Sequence, residues 1–306
     1  MIDFRRVLGL VWVLVSTAAS AAAGQRLPPT TDIYLARARI EHGTVLIGPP
    51  LNITNRPGYD NQPSFTPDSR SILFTSVRED AQADIYRYDL ASRSTTRVTA
   101  TPESEYSATV YGDGSRFSAI RVEADSTQRL WTFRMDGTDP RILFEGIKPA
   151  GYHAWVDSTT VALFVLGRPN ALVIADTRGG RVDTLARDIG RSLLRLPNGS
   201  GFSFLQHVAD SSWILSAVDV RGSGPDRRTV TMPLARMPSG ADYIAWLEPA
   251  VAISGRGSKL LIWRGASKNP QWSELSDLSR YGMRQISRLA LSPDRQWLAI
   301  VAEPGR

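Results

Sequence analysis

The sequence predicts an all-β fold, a six-bladed β-propeller of four-stranded antiparallel blades closed by strands from both termini. Three observations predict it. First, a compact unit recurs with decay, and its first core position falls at Phe65, Val110, Trp155, Arg195, Trp246 and Leu291, spaced 45, 45, 40, 51 and 45 residues apart, the period of a repeat architecture. Second, each unit reads as strand, turn, strand, loop, strand. Third, the sixth unit is divided between the two ends of the chain.

The first unit is the clearest. Phe65-Thr-Pro-Asp-Ser-Arg-Ser-Ile-Leu-Phe74 leads into an apolar run, and the alternating Ile85-Tyr-Arg-Tyr-Asp89 follows, with Pro, Asp and Ser supplying the turn. In the second unit Val110 to Ile120 pairs with Leu130 to Asp136, and in the third Ala154-Trp155 and Val161 to Val165 pair with Ala171 to Asp176. The fourth offers Pro197 to Phe204 and Trp213 to Asp219; the fifth offers Ala245 to Leu247, Val251 to Ser254 and Leu260 to Trp263. At the C-terminus Ala290 to Val301 supplies two strands and stops, while Asp32-Ile-Tyr34 repeats Asp84-Ile-Tyr86 near the N-terminus. Sharing the last blade between the termini leaves no large open edge.

The Ser/Thr-Pro-Asp turn, the Asp-Ile-Tyr strand and the closing Arg-Val-Thr resemble the repeats of TolB-like propellers, best seen at Thr66-Pro-Asp68, Asp84-Ile-Tyr86, Arg97-Val-Thr99 and Ser292-Pro-Asp294. The resemblance runs from about residue 31 to the end. It implies a propeller of the kind that serves as a periplasmic interaction platform, as an accessory domain of serine peptidases or, in some lineages, as a polysaccharide lyase. No counterpart is expected of the small α/β domain that precedes the propeller in TolB itself. Fold alone does not select among these roles.

Composition bounds the compartment and the chemistry. A basic start, Met1 to Arg6, an apolar run, Val7 to Ala19, and Ala21-Ala-Ala23 read as a signal peptide over residues 1–23, with one propeller domain over 24–306. The protein is therefore expected to be periplasmic or secreted, with no membrane span in the mature chain. With no cysteine, thiolate metal sites, disulfides and cysteine nucleophiles are excluded. The formal charge is +6, and +5 without the first 23 residues, which carry Arg5, Arg6 and Asp3. The basic residues are scattered and nearly all Arg, which argues against a nucleic-acid stripe and favours acidic protein surfaces or anionic glycans as partners.

The chain carries no nucleophile elbow, zinc-binding His-Glu-x-x-His, phosphate loop or calcium-loop spacing. Gly112-Asp-Gly114 takes the place of Pro67-Asp68 and reads as a strand turn. Of three histidines, His42 reads as a turn residue, whereas His153 and His207 are expected on the face where inner strands begin and where second-to-third strand loops emerge. Each could equally bond a neighbouring loop. The eight tryptophans mostly sit in strand runs and read as packing, with Trp272 the one expected at the surface.

These readings converge on an exported, non-catalytic, monomeric propeller that binds a protein or an anionic cell-envelope glycan at the channel mouth. The expected ligand-binding residues are Tyr106, Tyr152, His153, Arg168, His207, Asp242, Tyr243 and Arg256, within a face that would also gather Asp60, Asn61, Arg78, Glu79, Asp80, Glu105, Glu123 and Asp125. No catalytic residue, metal or cofactor is expected. The alternative is a metal-assisted lyase acting on acidic polysaccharide fragments, for which two usable histidines are a sparse ligand supply.

Overall fold

A computed structural model describes residues 29–41, 44–78, 81–208 and 212–305. The signal-peptide reading, His42, Glu79 and Asp80 lie outside the described residues. Five four-stranded antiparallel sheets follow one another along the chain, and a sixth combines both termini. Blade one runs Tyr59–Phe65, Ser71–Val77, Ala83–Asp89 and Thr95–Arg97 from the inside outward. The inner strands of blades two to five are Ser104–Tyr111, Ala150–Trp155, Leu194–Arg195 and Ile244–Glu248.

In blade six the C-terminal strands Leu289–Leu291 and Trp297–Pro304 are inner and second, and the N-terminal Asp32–Glu41 is third. Six consecutive antiparallel partners join the termini, from Asp32 opposite Ala302 to Arg37 opposite Trp297. Thr44–Ile47 and Leu51–Asn52 pair with the outer side of Asp32–Glu41. The expected closure by both termini is therefore the observed one. A further short strand, Met283–Arg284, pairs with the end of Trp297–Pro304.

The sequence motifs recur because each satisfies backbone and side-chain groups that the blade would otherwise strand. At the first turn Thr66 donates its hydroxyl to Asp68 (2.6 Å) and accepts from the Ser71 amide (3.0 Å). Ser292 receives the Trp297 amide in the same way (2.9 Å). The fourth residue of each turn, Ser69 or Arg295, takes a left-handed conformation (φ 58° and 61°). Asp84 explains the other half of the motif, since Arg97 on the outer strand bonds its carboxylate at 2.6 Å and Thr99 accepts the Ile85 amide at 2.9 Å. Gly112 and Gly114 lie in the turn expected of them, both with positive φ.

Alternation along strands decides which neighbour each residue packs against. In Asp32–Glu41, Ile33 and Leu35 face the blade-one side, with Ile72 and Phe74, whereas Tyr34 and Ala36 face blade five, with Ile253 and Ile262. Trp155 and Trp246 are buried between blades as expected, and each indole nitrogen donates to a serine on the preceding blade, Ser118 or Ser203, both at 2.9 Å. Two expectations need correction. Arg195 stands at the repeat position but is exposed, because the inner strand of its blade is two residues long and places it at the channel rim. Trp272 is half-buried, packed against the cluster holding Trp246 and Trp263.

Candidate functional site

Inner strands converge on the axis, so a residue repeated at one register of every blade forms a ring around the channel. Phe65, Val110, Trp155, Arg195, Trp246 and Leu291 all line one cavity of about 720 Å³. Three residues before each of them stand Gln62, Ser107, Tyr152, Ser192, Tyr243 and Arg288, which line the same cavity one layer deeper. Pro67, Gly112, Asp157, Ser158 and Pro293, from turns between first and second strands, line it as well. The lining thus reaches that turn face, and the layer of Tyr152, Tyr243 and Arg288 lies deeper, toward the face where inner strands begin.

A cluster of phenols and guanidinium groups lies in this deeper layer. The Arg288 Nη2 donates to the Tyr243 hydroxyl at 2.9 Å and to the Tyr152 hydroxyl at 3.1 Å. Its guanidinium carbon stands 4.1 Å from the Tyr243 ring centre and 5.0 Å from that of Tyr152, within cation–π range. Arg191 acts on Tyr243 as well. Burial pushes the Tyr59, Tyr106 and Tyr243 hydroxyls above the ordinary phenol range, so all three are neutral donors at neutral pH. In blades one and two the strand bulges around Gln62 and Ser107, both left-handed (φ 57°), and the Gln62 side-chain oxygen accepts the Ser107 amide at 2.8 Å.

The residues expected to bind ligand are distributed unequally. Tyr152, His153 and Tyr243 line the cavity, and Tyr106 interacts electrostatically with Tyr152. Asp242 and Arg168, in loops, and Arg256, at the end of the strand Val251–Arg256, are exposed toward the opposite face, where inner strands begin. His207 bonds Asp188 through Nδ1 at 2.7 Å and tilts against Trp213. It does not share a site with His153, which is buried between blades two and three with its Nε2 2.7 Å from the Ser118 hydroxyl. Desolvation lowers the His153 pKa to about 3, so the ring is neutral. The Ser118 hydroxyl accepts the Trp155 indole N–H and also lies 3.3 Å from the Thr109 carbonyl oxygen, so its contact with Nε2 is compatible with either neutral tautomer of His153.

Ser118 therefore serves two buried partners, and Ser118→Ala is expected to destabilise the fold by about 2 kcal/mol, since both the indole N–H and the imidazole nitrogen lose their partner. Urea unfolding monitored by tryptophan fluorescence measures it; an unchanged midpoint would contradict this account.

The other acidic residues of the expected binding face are engaged structurally. Asp60 accepts from Ser76 at 2.6 Å and pairs with Arg56 at 3.1 Å, and Glu105 pairs with Arg121 at 3.0 Å; burial raises both carboxyl pKa values. Glu123 pairs with Arg129 and accepts the Trp131 indole N–H. Among the described residues no three His, Cys, Asp or Glu side chains form a group that could hold a metal ion, and no helix is long and apolar enough to cross a membrane.

Arg288, Arg191 and Tyr59 were not among the expected site residues. The repeat register contained the signal for Arg288, which precedes Leu291 by the same three residues that separate Tyr152 from Trp155 and Tyr243 from Trp246.

No protein-family model matches the sequence. In shape the chain is similar to a putative TolB from Agrobacterium tumefaciens, with a TM-score of 0.65 and 16% identity over 90% of this chain and 98% of that one. The chain has the TolB-like propeller fold. A second TolB, from Acinetobacter baumannii, aligns with a TM-score of 0.57 and 13% identity over 92% of this chain and 66% of that chain. Oligogalacturonate lyase from Vibrio parahaemolyticus is also similar, with a TM-score of 0.55 and 10% identity over 83% and 80% of the two chains. This TolB-like architecture is thus shared with a protein named for an enzymatic activity.

Proposed function

We propose that this chain is an exported binding propeller that engages a protein or an anionic cell-envelope ligand through its central channel and carries out no bond chemistry. The observation that carries the reading is the cavity of about 720 Å³, within the size range of binding pockets, which is walled by inner-strand aromatics and ends on Tyr152, Tyr243 and Arg288. Such amphipathic aromatics and arginines supply contact area and directed hydrogen bonds at small entropic cost. The lyase reading is less well supported, because His153 is committed to Ser118 and His207 to Asp188 on different blades.

Capture of partners by the mature protein from an envelope extract tests the proposal, and exposed residues on each face make the test insensitive to folding. Arg195→Ala at the turn-face rim is expected to weaken capture roughly tenfold, as loss of an interface arginine costs over about 1.4 kcal/mol. The combined Arg168→Ala, Asp242→Ala and Arg256→Ala variant should bind nearly normally. The reverse pattern would move the interface to the face where inner strands begin. Turnover of an acidic oligosaccharide by the purified protein would replace the binding reading with the lyase.

A further inference from the structure

The channel presents an unbalanced charge. Arg191, Arg195 and Arg288 line the cavity, and among the described residues none of them pairs with a carboxylate. Asp157 is the single carboxylate in the lining, and one of its oxygens already accepts the amides of Thr159 (2.7 Å) and Thr160 (2.8 Å). His153 contributes no charge. A guanidinium half-removed from water without a counter-ion is costly, and the two phenols against Arg288 supply only partial negative charge. Its Nη2 is used twice by those phenols, whereas Nε and Nη1 have no hydrogen-bond partner among the described residues and are not sealed away from the cavity. These two N–H groups lie on different edges of the guanidinium, so each can give one charge-assisted hydrogen bond to a carboxylate oxygen.

We propose that Arg288, with Arg191 beside it, is the seat for the carboxylate of a ligand with a compact apolar body that enters from the turn face. The geometry of the wall selects the body. Between the turn face and Arg288 the cavity is lined by the partly exposed Val110 and Leu291 and by the small exposed remainder of Phe65, Trp155 and Trp246, apolar surface whose burial favours a compact apolar body. The same wall is poorly made for a sugar ring. Trp155 is stacked on Tyr111 at 4.0 Å and within 4° of parallel, and Trp155 and Trp246 are only 7% and 9% exposed, so neither offers a free face. Tyr152 and Tyr243 hydroxyls hold the guanidinium in position before a ligand arrives, which limits the ordering cost of binding.

This inference rests on the channel being the binding site and names the group that anchors there. Titration calorimetry of the mature protein with phenylacetate, its neutral counterpart phenylacetamide, and D-galacturonate provides the test. Phenylacetate is expected to bind at least about tenfold more tightly than phenylacetamide, and Arg288→Gln is expected to erase that preference, a charge-assisted hydrogen bond being worth about ten- to hundredfold. Arg191→Gln, at an exposed position, should weaken the acid severalfold and gives a readout if Arg288→Gln fails to fold. Equal binding of acid and amide, acid binding unchanged by both substitutions, no acid binding at millimolar concentration, or a preference for galacturonate would each overturn the proposal. Capture of a macromolecule without binding of the acid would sink this inference alone, whereas acid binding without capture would sink the macromolecular reading alone.

Discussion

Removing residues 25 to 47 is expected to abolish cooperative folding. The deletion strips the third and outer strands from blade six and exposes the edge of Trp297–Pro304 along six residue pairs. It also removes Ile33, Leu35, Tyr34 and Val45, each at most 6% exposed. At about 1.5 to 3 kcal/mol per large buried apolar side chain, these four alone approach the whole stability of an ordinary domain, about 5 to 15 kcal/mol. The loss is shared by two interfaces, because alternate residues of the strand pack against opposite neighbours. Calorimetry should show no two-state transition, and a deletion protein that melts like the intact chain would refute closure. A milder version, Ile33→Ala, should lower stability by about 2 to 5 kcal/mol.

The fold was legible because its turns are chemical. A serine or threonine hydroxyl and an aspartate two residues on cap the backbone of the first turn, and an aspartate–arginine pair joins the third strand to the fourth, so both leave fixed residues at fixed spacing. Degeneracy of the repeat did not hide blades four and five, since strand periodicity survives when turn residues drift. The site was legible in part. Tyr152 and Tyr243 follow from register, but successive strand residues point to opposite sides, and the neighbouring His153, although it also lines the cavity, is held against Ser118 of the preceding blade. Arg288 itself sits where the first two blades carry Gln62 and Ser107, and a change of residue type at a repeated position conceals the ring unless register is followed rather than chemistry.

Acid should destabilise the protein from about pH 6.5 downward, and His153 should be the principal cause in that range. Burial alone depresses its folded-state pKa to about 3, against about 6.5 in an unfolded chain. For a base whose pKa is lower when folded, the unfolded state binds the extra proton, so the stabilisation is full above pH 6.5 and is lost as pH falls toward 3. Each pH unit in that window costs about 1.4 kcal/mol, or about 2.5 kcal/mol by pH 4.5. Asp60 and Glu105 act in the opposite sense, since burial raises their pKa values and their contribution is present below the unfolded carboxyl pKa and fades as pH rises through the folded one. Asp139, held near 2 by hydrogen bonds from Arg116 and Arg141, adds a loss of stability only below about pH 4. Replacing the imidazole separates these contributions. His153→Gln can keep a bond to Ser118 without a titratable group, so it should be less sensitive to pH between 6.5 and 4.5 by about 2.5 kcal/mol, whatever its stability at pH 7. Urea unfolding of both proteins at half-unit steps measures the difference directly, and parallel curves would mean that His153 is either already solvated or able to hold its charge inside the interface between blades two and three.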